Sequence, residues 1–193
     1  TAIMLKGDAV QSFTMLFLEM WAVNQMEPAD CQNYLTPKHV VPDPPHGYVI
    51  PYGDHPYDNE NVGEEVYFHI LNHSKKYVHI MTPYLILDSE MITALTRAAK
   101  SGIEVIIIMP HIPDKWYAFV LAHTYYKELI QAGVSIYEYT PGFVHAKVFV
   151  SDDDTATVGT INLDYRSLYL HFECGAYIYD HPVVADIEQD FQE

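Results

Sequence analysis

The chain has 193 residues, 49% hydrophobic and 19% charged, enough to form one core with an extension, and this composition excludes the disordered and collagen-like classes. It carries 10 Lys and Arg against 26 Asp and Glu, a formal net charge of −16. That charge disfavours a nucleic-acid partner, because binding phosphates requires clustered cations. The apolar runs are shorter than the roughly 18 residues that a membrane-spanning helix needs.

The first quarter of the chain predicts one helix and an irregular segment. Apolar residues recur with helical spacing over 8–25, and Asp8 is placed to cap this helix. Prolines recur over 27–47, where they prevent regular structure. We therefore expect residues 1–47 to be an N-terminal helix with a proline-rich linker, and residues 48–193 to be the main domain.

Strand and helix patterns alternate from residue 48 onward. Short β-branched and aromatic runs predict strands over 48–51, 77–81, 103–109, 134–139, 144–151, 155–159 and 172–179. Helical spacing and stop signals predict helices over 63–72, 88–100 and 116–132, and a closing helix after Pro182. This alternation, with a hairpin near its end, predicts an α/β fold in which helices cover both faces of a mixed β-sheet.

The residues that can carry chemistry concentrate around His145-Ala146-Lys147. On a strand, alternate side chains share a face, so His145 and Lys147 should point the same way while Ala146 points into the packed layer. Such a pair suits a phosphate ester. The imidazole can attack phosphorus or protonate a leaving oxygen, and the ammonium stabilises the non-bridging oxygens.

A second group of small polar residues, Gly159, Thr160 and Asn162, falls at the end of the neighbouring predicted strand. Backbone amides and one side-chain amide at this position are able to reach the same anion. Together with His145 and Lys147, these residues predict a pocket for a phosphoryl group.

The combined spacing, H-x-K-x4-D-x6-G-[S/T]-x-N, is filled at every position, by His145, Lys147, Asp152, Gly159, Thr160 and Asn162. It resembles the signature of the phospholipase D superfamily, known as the HKD motif. The flanking sequence, with Thr82-Pro83-Tyr84 and Phe172-Glu173, is most similar to the second catalytic half of bacterial cardiolipin synthases. The opening of the chain, up to Trp21, is similar to the segment that follows the first catalytic motif in those enzymes.

This resemblance implies a phospholipase D-like fold and a phosphatidyl transfer without metal or organic cofactor. One phosphatidylglycerol donates its phosphatidyl group to a catalytic histidine, and a second accepts it, giving cardiolipin and glycerol. By the family's usual division of roles, His145 is the acid and base residue, and Lys147 and Asn162 bind phosphate oxygens. The resemblance also implies that Asp152 orients the motif and that Glu173 holds a histidine through its ring N–H.

The sequence contains one complete motif. A second H-x-K, His73-Ser74-Lys75, lacks the later aspartate and glycine, and its helix-stop signals predict a solvated helix end. We therefore expect the chain to be the C-terminal portion of a longer enzyme of the bacterial cytoplasmic membrane, this portion itself being soluble. Its expected partners are anionic phospholipid, the membrane through an N-terminal anchor, and either the first half or a second copy of the chain.

Two other functions stay open at this point. The first is a phosphodiesterase or nuclease that assembles one site from two single-motif chains, although a charge of −16 opposes a polyanionic substrate. The second is a non-catalytic half that serves in pairing or regulation.

Three local patterns each admit two interpretations. Asp152-Asp153-Asp154 indicates a cation site or, more simply, a solvated hairpin turn. Tyr125-Tyr126 and the tyrosines at 165–169 line a lipid channel or pack at half-buried edges. Trp116-Tyr117 with Phe119-Val120 forms an interfacial element in the lipid headgroup region or part of a buried helix face.

Overall fold

A computed structural model describes residues 2–23, 25, 31–35 and 47–193. The helices are α1 (Ala9–Ala22), α2 (Val62–His73), α3 (Ser89–Lys100), α4 (Trp116–Ala132), α5 (Tyr165–Tyr169) and α6 (Val183–Gln192). The strands are β1 (Tyr48–Asp54), β2 (Tyr77–Met81), β3 (Leu85–Ile86), β4 (Glu104–Pro110), β5 (Ser135–Tyr139), β6 (Val148–Ser151), β7 (Thr155–Gly159), β8 (Leu163–Asp164) and β9 (Glu173–Tyr179). The predicted linker over 27–47 lies mostly outside the described residues, and Cys31–Tyr34 within it forms a 3₁₀ turn.

The strands of the described chain form a seven-stranded mixed sheet in the order β1-β9-β7-β6-β2-β4-β5. Strands β2, β4 and β5 are parallel, and the helices α3 and α4 supply the crossovers between them. The remaining neighbours are antiparallel. A separate parallel pair, β3 with β8, lies beside the main sheet and brings the segment after β2 next to the segment after β7.

Both faces of the sheet are covered by helices, which confirms the predicted fold class. The larger core lies between the sheet and the layer of α2, α3 and α4, and it includes Ile80, Leu95 and Phe149. The smaller core lies between the sheet and α6, and it includes Val150 and Ile187. Helix α1 packs beside β1 at the edge of the sheet.

Most predicted helix boundaries are confirmed because their signals are local. The side chain of Asp88 accepts a hydrogen bond from the backbone N–H of Met91 at 2.7 Å and caps α3. Helix α4 ends at Gly133, whose φ of +104° is a left-handed conformation that suits glycine. The predicted cap at Asp8 is wrong, since its backbone is already helical and its side chain makes no capping hydrogen bond.

The strand predicted over 144–151 is shorter in the structure. Strand β6 starts at Val148, and residues 143–147 leave the sheet. The physical reason is the loss of partners, because β2 ends at Met81, opposite Val148, and β7 ends at Gly159. His145 therefore lies three residues before the first paired residue of β6, outside the regular β-sheet.

Candidate active site

A cavity of about 500 Å³ opens beside the start of β6 and the end of β7. The segments that follow the parallel strands β2 and β4 also reach it, through Tyr84 and Asp114 respectively. Ligands commonly bind at the carboxyl ends of parallel strands, because the chain leaves the sheet there and frees its side chains. Its lining includes Tyr84, Asp114, Tyr117, His145, Asn162, Tyr165 and His171.

His145 lies exposed at this cavity, between two aromatic side chains. Its ring stacks on Phe143, with centroids 5.5 Å apart, and meets the edge of Tyr84 at 6.3 Å. Partial burial and the nearby Lys147 cation lower the pKa of His145, while the Asp114 carboxylate opposes this shift. The shift favours the neutral imidazole, the form that can accept a proton or attack an electrophile.

Lys147 is held back against the chain that carries His145. Its Nζ donates a hydrogen bond to the backbone carbonyl of His145 at 2.7 Å. Burial lowers the pKa of Lys147, while the carboxylates of Glu173 and Asp164 act in the opposite direction. The positions of Ala146 and Lys147 keep the predicted alternation even though the strand begins later, since Ala146 is buried and Lys147 is half-buried.

Asn162 supplies an amide that is only partly used. Its Nδ2 donates to the hydroxyl of Ser167 at 2.9 Å, and its buried Oδ1 has no hydrogen-bond partner. If the amide is assigned the other way round, Ser167 donates to Oδ1 and Nδ2 takes the buried position without a partner. An unpaired buried polar atom is costly, and Asn162 carries this cost at the cavity wall.

Two hydroxyl groups fix the segments that carry Asn162 and Tyr84. The hydroxyl of Tyr67 donates to the carbonyl of Ile161 at 2.6 Å. Thr82 donates to the carbonyl of Tyr84 at 2.9 Å and accepts from the N–H of Leu163 at 3.3 Å. Thr82-Pro83-Tyr84 is therefore part of the framework of the cavity, although it lies about 80 residues before Asn162 in the sequence.

The backbone amides of Gly159 and Thr160 already form hydrogen bonds with neighbouring strand segments. The prediction that these amides bind an anion is therefore wrong. The N–H of Gly159 donates to the carbonyl of Lys147, and that of Thr160 to the carbonyl of Cys174. A Cβ atom at Gly159 would lie 2.5 Å from the carbonyl oxygen of Cys174. The glycine is thus explained by close strand packing.

The histidine that lies nearest to the carboxylate of Glu173 among the described ion pairs is His171. One carboxylate oxygen of Glu173 lies 3.4 Å from Nδ1 of His171, and the other accepts a hydrogen bond from the hydroxyl of Thr160. The side chain of Glu173 is almost fully buried, which fixes its orientation. The sequence does not identify His171 as a site residue, because its only local signal is its position two residues before Glu173.

Asp152 lies at the far end of β6 and does not line the cavity. Its carboxylate accepts hydrogen bonds from the backbone N–H groups of Lys75, Lys76 and Tyr77, at 2.6, 2.8 and 3.0 Å. These bonds tie the turn after β6 to the start of β2. The aspartate of the motif therefore acts on the framework and makes no contact with the cavity.

The acidic run at 152–154 forms a hairpin turn. Asp152 and Asp153 adopt positive φ values of 55° and 67°, which aspartate tolerates better than most residues. Asp153 contacts the ammonium of Lys76 at 3.5 Å and accepts a hydrogen bond from Tyr77. Among the described residues, no group of three or more metal-ligating side chains could hold an ion.

The other H-x-K sequence behaves as its helix-stop signals predict. Helix α2 ends at His73, which is exposed, and Nδ1 of His73 lies 2.8 Å from the carbonyl oxygen of His69 in its own helix. The tyrosines divide between the two interpretations, since Tyr165 lines the cavity while Tyr125 and Tyr169 pack against the larger core.

A mixed sheet that places the histidine of H-x-K and the asparagine of G-T-x-N at one cavity defines a phospholipase D-like domain. Residues 67–193 match the family model described as "Cardiolipin synthase, PLD-like domain", and the chain belongs to this family. Within the described ranges, each helix is too short or too polar to cross a lipid bilayer.

Curated relatives cover the whole chain. A Streptococcus mutans protein described only as uncharacterized is 57% identical, cardiolipin synthase 2 of Bacillus cereus is 38% identical, and cardiolipin synthase of Geobacillus kaustophilus is 36% identical, each over 100% of this chain. The chain spans 41%, 37% and 39% of the lengths of these three relatives, respectively.

Two solved bacterial structures are among those with the same fold. Nuc, a phospholipase D family member from Salmonella typhimurium, matches with a TM-score of 0.60 and 19% identity over 74% of this chain and 93% of its own. Phosphatidylserine synthase from Haemophilus influenzae matches with a TM-score of 0.56 and 22% identity over 73% of this chain and 37% of its own.

Proposed function

We propose that this chain is one catalytic half of a cardiolipin synthase, which transfers a phosphatidyl group between two phosphatidylglycerol molecules. The observation that supports it most directly is the cavity lined by both His145 and Asn162, with Lys147 hydrogen-bonded to the backbone carbonyl of His145. Membership of the cardiolipin synthase family supports this proposal.

The reaction needs two histidines on opposite sides of phosphorus. One neutral imidazole attacks, forming a P–N bond, while the bond from phosphorus to the glycerol oxygen breaks and that oxygen takes a proton from the imidazolium of the other histidine. That second imidazole, now neutral, takes the proton from the hydroxyl of the accepting phosphatidylglycerol, whose oxygen displaces the first imidazole. Cardiolipin and glycerol are the products, and the proton balance returns to its start.

His145 takes the acid and base role in this scheme. The lowered pKa of His145 makes its imidazolium a ready proton donor and leaves a neutral base after donation. Lys147 and the amide of Asn162 stabilise the charge on the non-bridging oxygens. Asp152 is a positioning residue, and Glu173 is a positioning residue that acts through His171.

The other histidine comes from outside the described residues. Because the chain spans 37–41% of its relatives, the missing imidazole would come from a first half, and residues 1–47 would be the end of that half. This first half would also provide the attachment to the bacterial membrane.

A second candidate function is a phosphodiesterase assembled from two copies of the chain. The supporting observation is that the match to this chain covers 93% of the Nuc chain, so Nuc is little more than one such domain. In that case activity of the isolated chain would rise with the square of its concentration at low concentration.

The test is detection of cardiolipin by mass spectrometry after incubating phosphatidylglycerol vesicles with a protein in which this chain is joined to a first half. We expect His145→Ala to reduce cardiolipin formation by about 10³-fold or more. The control is His73→Ala, in the other H-x-K sequence, which should retain the parent rate. Retained synthesis in His145→Ala would exclude the proposal.

A further inference from the structure

The first turns of α4 and the loop before it expose a set of large apolar side chains next to the cavity. These residues, called here the pocket-rim patch, are Ile112, Trp116, Tyr117, Val120 and Leu121. Trp116 is 73% exposed, Val120 57% and Tyr117 56%. The interpretation of this segment as a buried helix face is therefore wrong for these side chains.

The exposure follows from the division of α4 into two faces. Ala118, Ala122 and Leu129 are buried and lie four and seven residues apart, so they form the inner face of the helix. Trp116, Tyr117, Val120 and Leu121 are left on the outer side of its first turns. The ring of Trp116 contacts that of Tyr117 edge to face, with centroids 6.2 Å apart.

The size of the patch limits what can cover it. With about 200 Å² for a fully exposed large side chain, the exposed fractions of the five residues amount to roughly 550 Å². A stable protein interface buries about 800 Å² on each partner, so the patch is small for a protein partner. It matches the largest apolar patches of typical monomers, which often have a function.

The position of the patch favours a lipid partner. Tyr117 and Ala118 line the cavity that contains His145, and so does Lys115, whose Nζ lies 5.9 Å from the ring of Tyr84. Tryptophan and tyrosine are enriched at membrane interfaces, where their rings sit at the level of the headgroups. A bilayer in contact with this rim presents its headgroup phosphates to the cavity.

We propose that the pocket-rim patch inserts into the surface of a phospholipid bilayer and thereby delivers the lipid phosphate to His145. This inference rests on the proposed function, because only a lipid substrate requires the cavity to face a bilayer. The insertion is apolar, since a chain with a net charge of −16 is repelled by an anionic surface. Binding should therefore be stronger to neutral vesicles than to anionic ones at low salt.

The first test uses the two tryptophans of the chain as probes. In the Trp21→Phe variant, Trp116 is the remaining tryptophan, and its emission should shift to the blue on addition of phosphatidylcholine vesicles. Brominated acyl chains should quench it. In the Trp116→Phe variant, the remaining tryptophan is Trp21, 60% exposed on α1 away from the cavity with His145, and its emission should shift less than that of Trp116. An unchanged Trp116 emission would overturn the proposal, as would a shift that occurs only when a first half is added.

The second test compares two exposed sites on the same helix. Val120→Ser should reduce partition into phosphatidylcholine vesicles by about threefold or more, and Trp116→Ser with Val120→Ser by about tenfold or more. The control is Ile130→Ser, because Ile130 is 54% exposed and lies about 15 Å along α4 from Val120. Equal partition of all three variants would overturn the proposal.

A third measurement separates this inference from the proposed function. In the joined two-half protein, the double variant should lose turnover of vesicle phosphatidylglycerol but keep turnover of a short-chain, monomeric phosphatidylglycerol. If the parent turns over neither substrate while Trp116 still enters vesicles, the proposed function fails and the docking surface stands. Equal loss on both substrates would show that the patch is not a docking surface.

Discussion

His145-Ala146-Lys147 and His73-Ser74-Lys75 share one sequence pattern but lie at opposite ends of strand β6. The first precedes β6 at a cavity with Tyr84, Asp114 and Asn162. The second follows helix α2, where the backbone N–H of Lys75 donates to Asp152 in the turn after β6. An H-x-K sequence can therefore form a candidate active site only where the sheet places other functional side chains beside its histidine. In addition, the aspartate of the complete motif accepts a hydrogen bond from the backbone of the incomplete one.

The largest expected effect separates the two lysines. Lys147→Met removes the cation beside His145 and should lower kcat for cardiolipin formation by about 10²- to 10³-fold in the joined two-half protein. Lys75→Met, at an exposed helix end, should leave kcat unchanged. Steady-state kinetics with phosphatidylglycerol vesicles measures both. Similar losses in the two variants would mean that the difference between the two ends is not catalytic.

The next effect concerns the stability of the turn after β6, at the end of the strand away from the cavity. Asp152→Asn keeps a side chain that tolerates positive φ but weakens three hydrogen bonds to backbone amides, so the free energy of unfolding should fall by about 1–2 kcal/mol. Asp153→Asn, in the same turn and also at positive φ, should change it by about 0.5 kcal/mol or less. Urea unfolding followed by circular dichroism measures the two values.

The pH dependence of stability should depend on a residue outside the cavity, Glu64 at the start of α2. Glu64 is buried in the first turn of α2, and burial together with the Asp88 carboxylate raises its pKa to about 7. A raised pKa in the folded state gives stability that is complete below the unfolded value, near 4.5, and is lost as the pH rises to about 7.

We therefore expect the free energy of unfolding to decrease between pH 4.5 and pH 7, and Glu64→Gln to flatten this dependence. Urea unfolding at a series of pH values is the measurement. Glu65→Gln is the matched control, because Glu65 is the exposed neighbour in the same turn and should leave the slope intact. An unchanged slope in Glu64→Gln would contradict the assignment.

The smallest effect is electrostatic and lies at the cavity. Because Lys147 lowers the pKa of His145 and Asp114 opposes this, Lys147→Met should raise that pKa and Asp114→Asn should lower it further. Imidazole chemical shifts followed by NMR over pH give both directions. Shifts of the same sign in the two variants would be inconsistent with this arrangement of charges.

Local signals explain why so many elements were predictable. The cap at Asp88 and the stop at Gly133 lie within a few residues of the helix ends that they define. The start of β6 was misplaced because it depends on where β2 and β7 end, which is not a local property. The predicted cap at Asp8 was wrong because residue type alone does not make a cap. The backbone of Asp8 is helical and lacks the extended conformation that a capping residue adopts.

The site divides in the same way. His145, Lys147 and Asn162 could be selected because they fall in one continuous, spaced pattern. Tyr84, Asp114 and His171 could not, because they follow different strands and meet only through the order of the sheet. The exposure of Trp116 and Val120 also needed the structure, since helical spacing alone does not say which face a neighbouring layer covers.

The sequence by itself determined the alternation of strands and helices, the family resemblance and the identity of the motif residues, because these depend on short-range spacing and side-chain chemistry. Tertiary structure alone decided which H-x-K places its histidine at the cavity lined by Asn162, that the amides of Gly159 and Thr160 serve the sheet, and that His171 lies beside Glu173. These outcomes depend on contacts between residues far apart in the chain, and the free energy of such contacts is set by packing and hydrogen bonding.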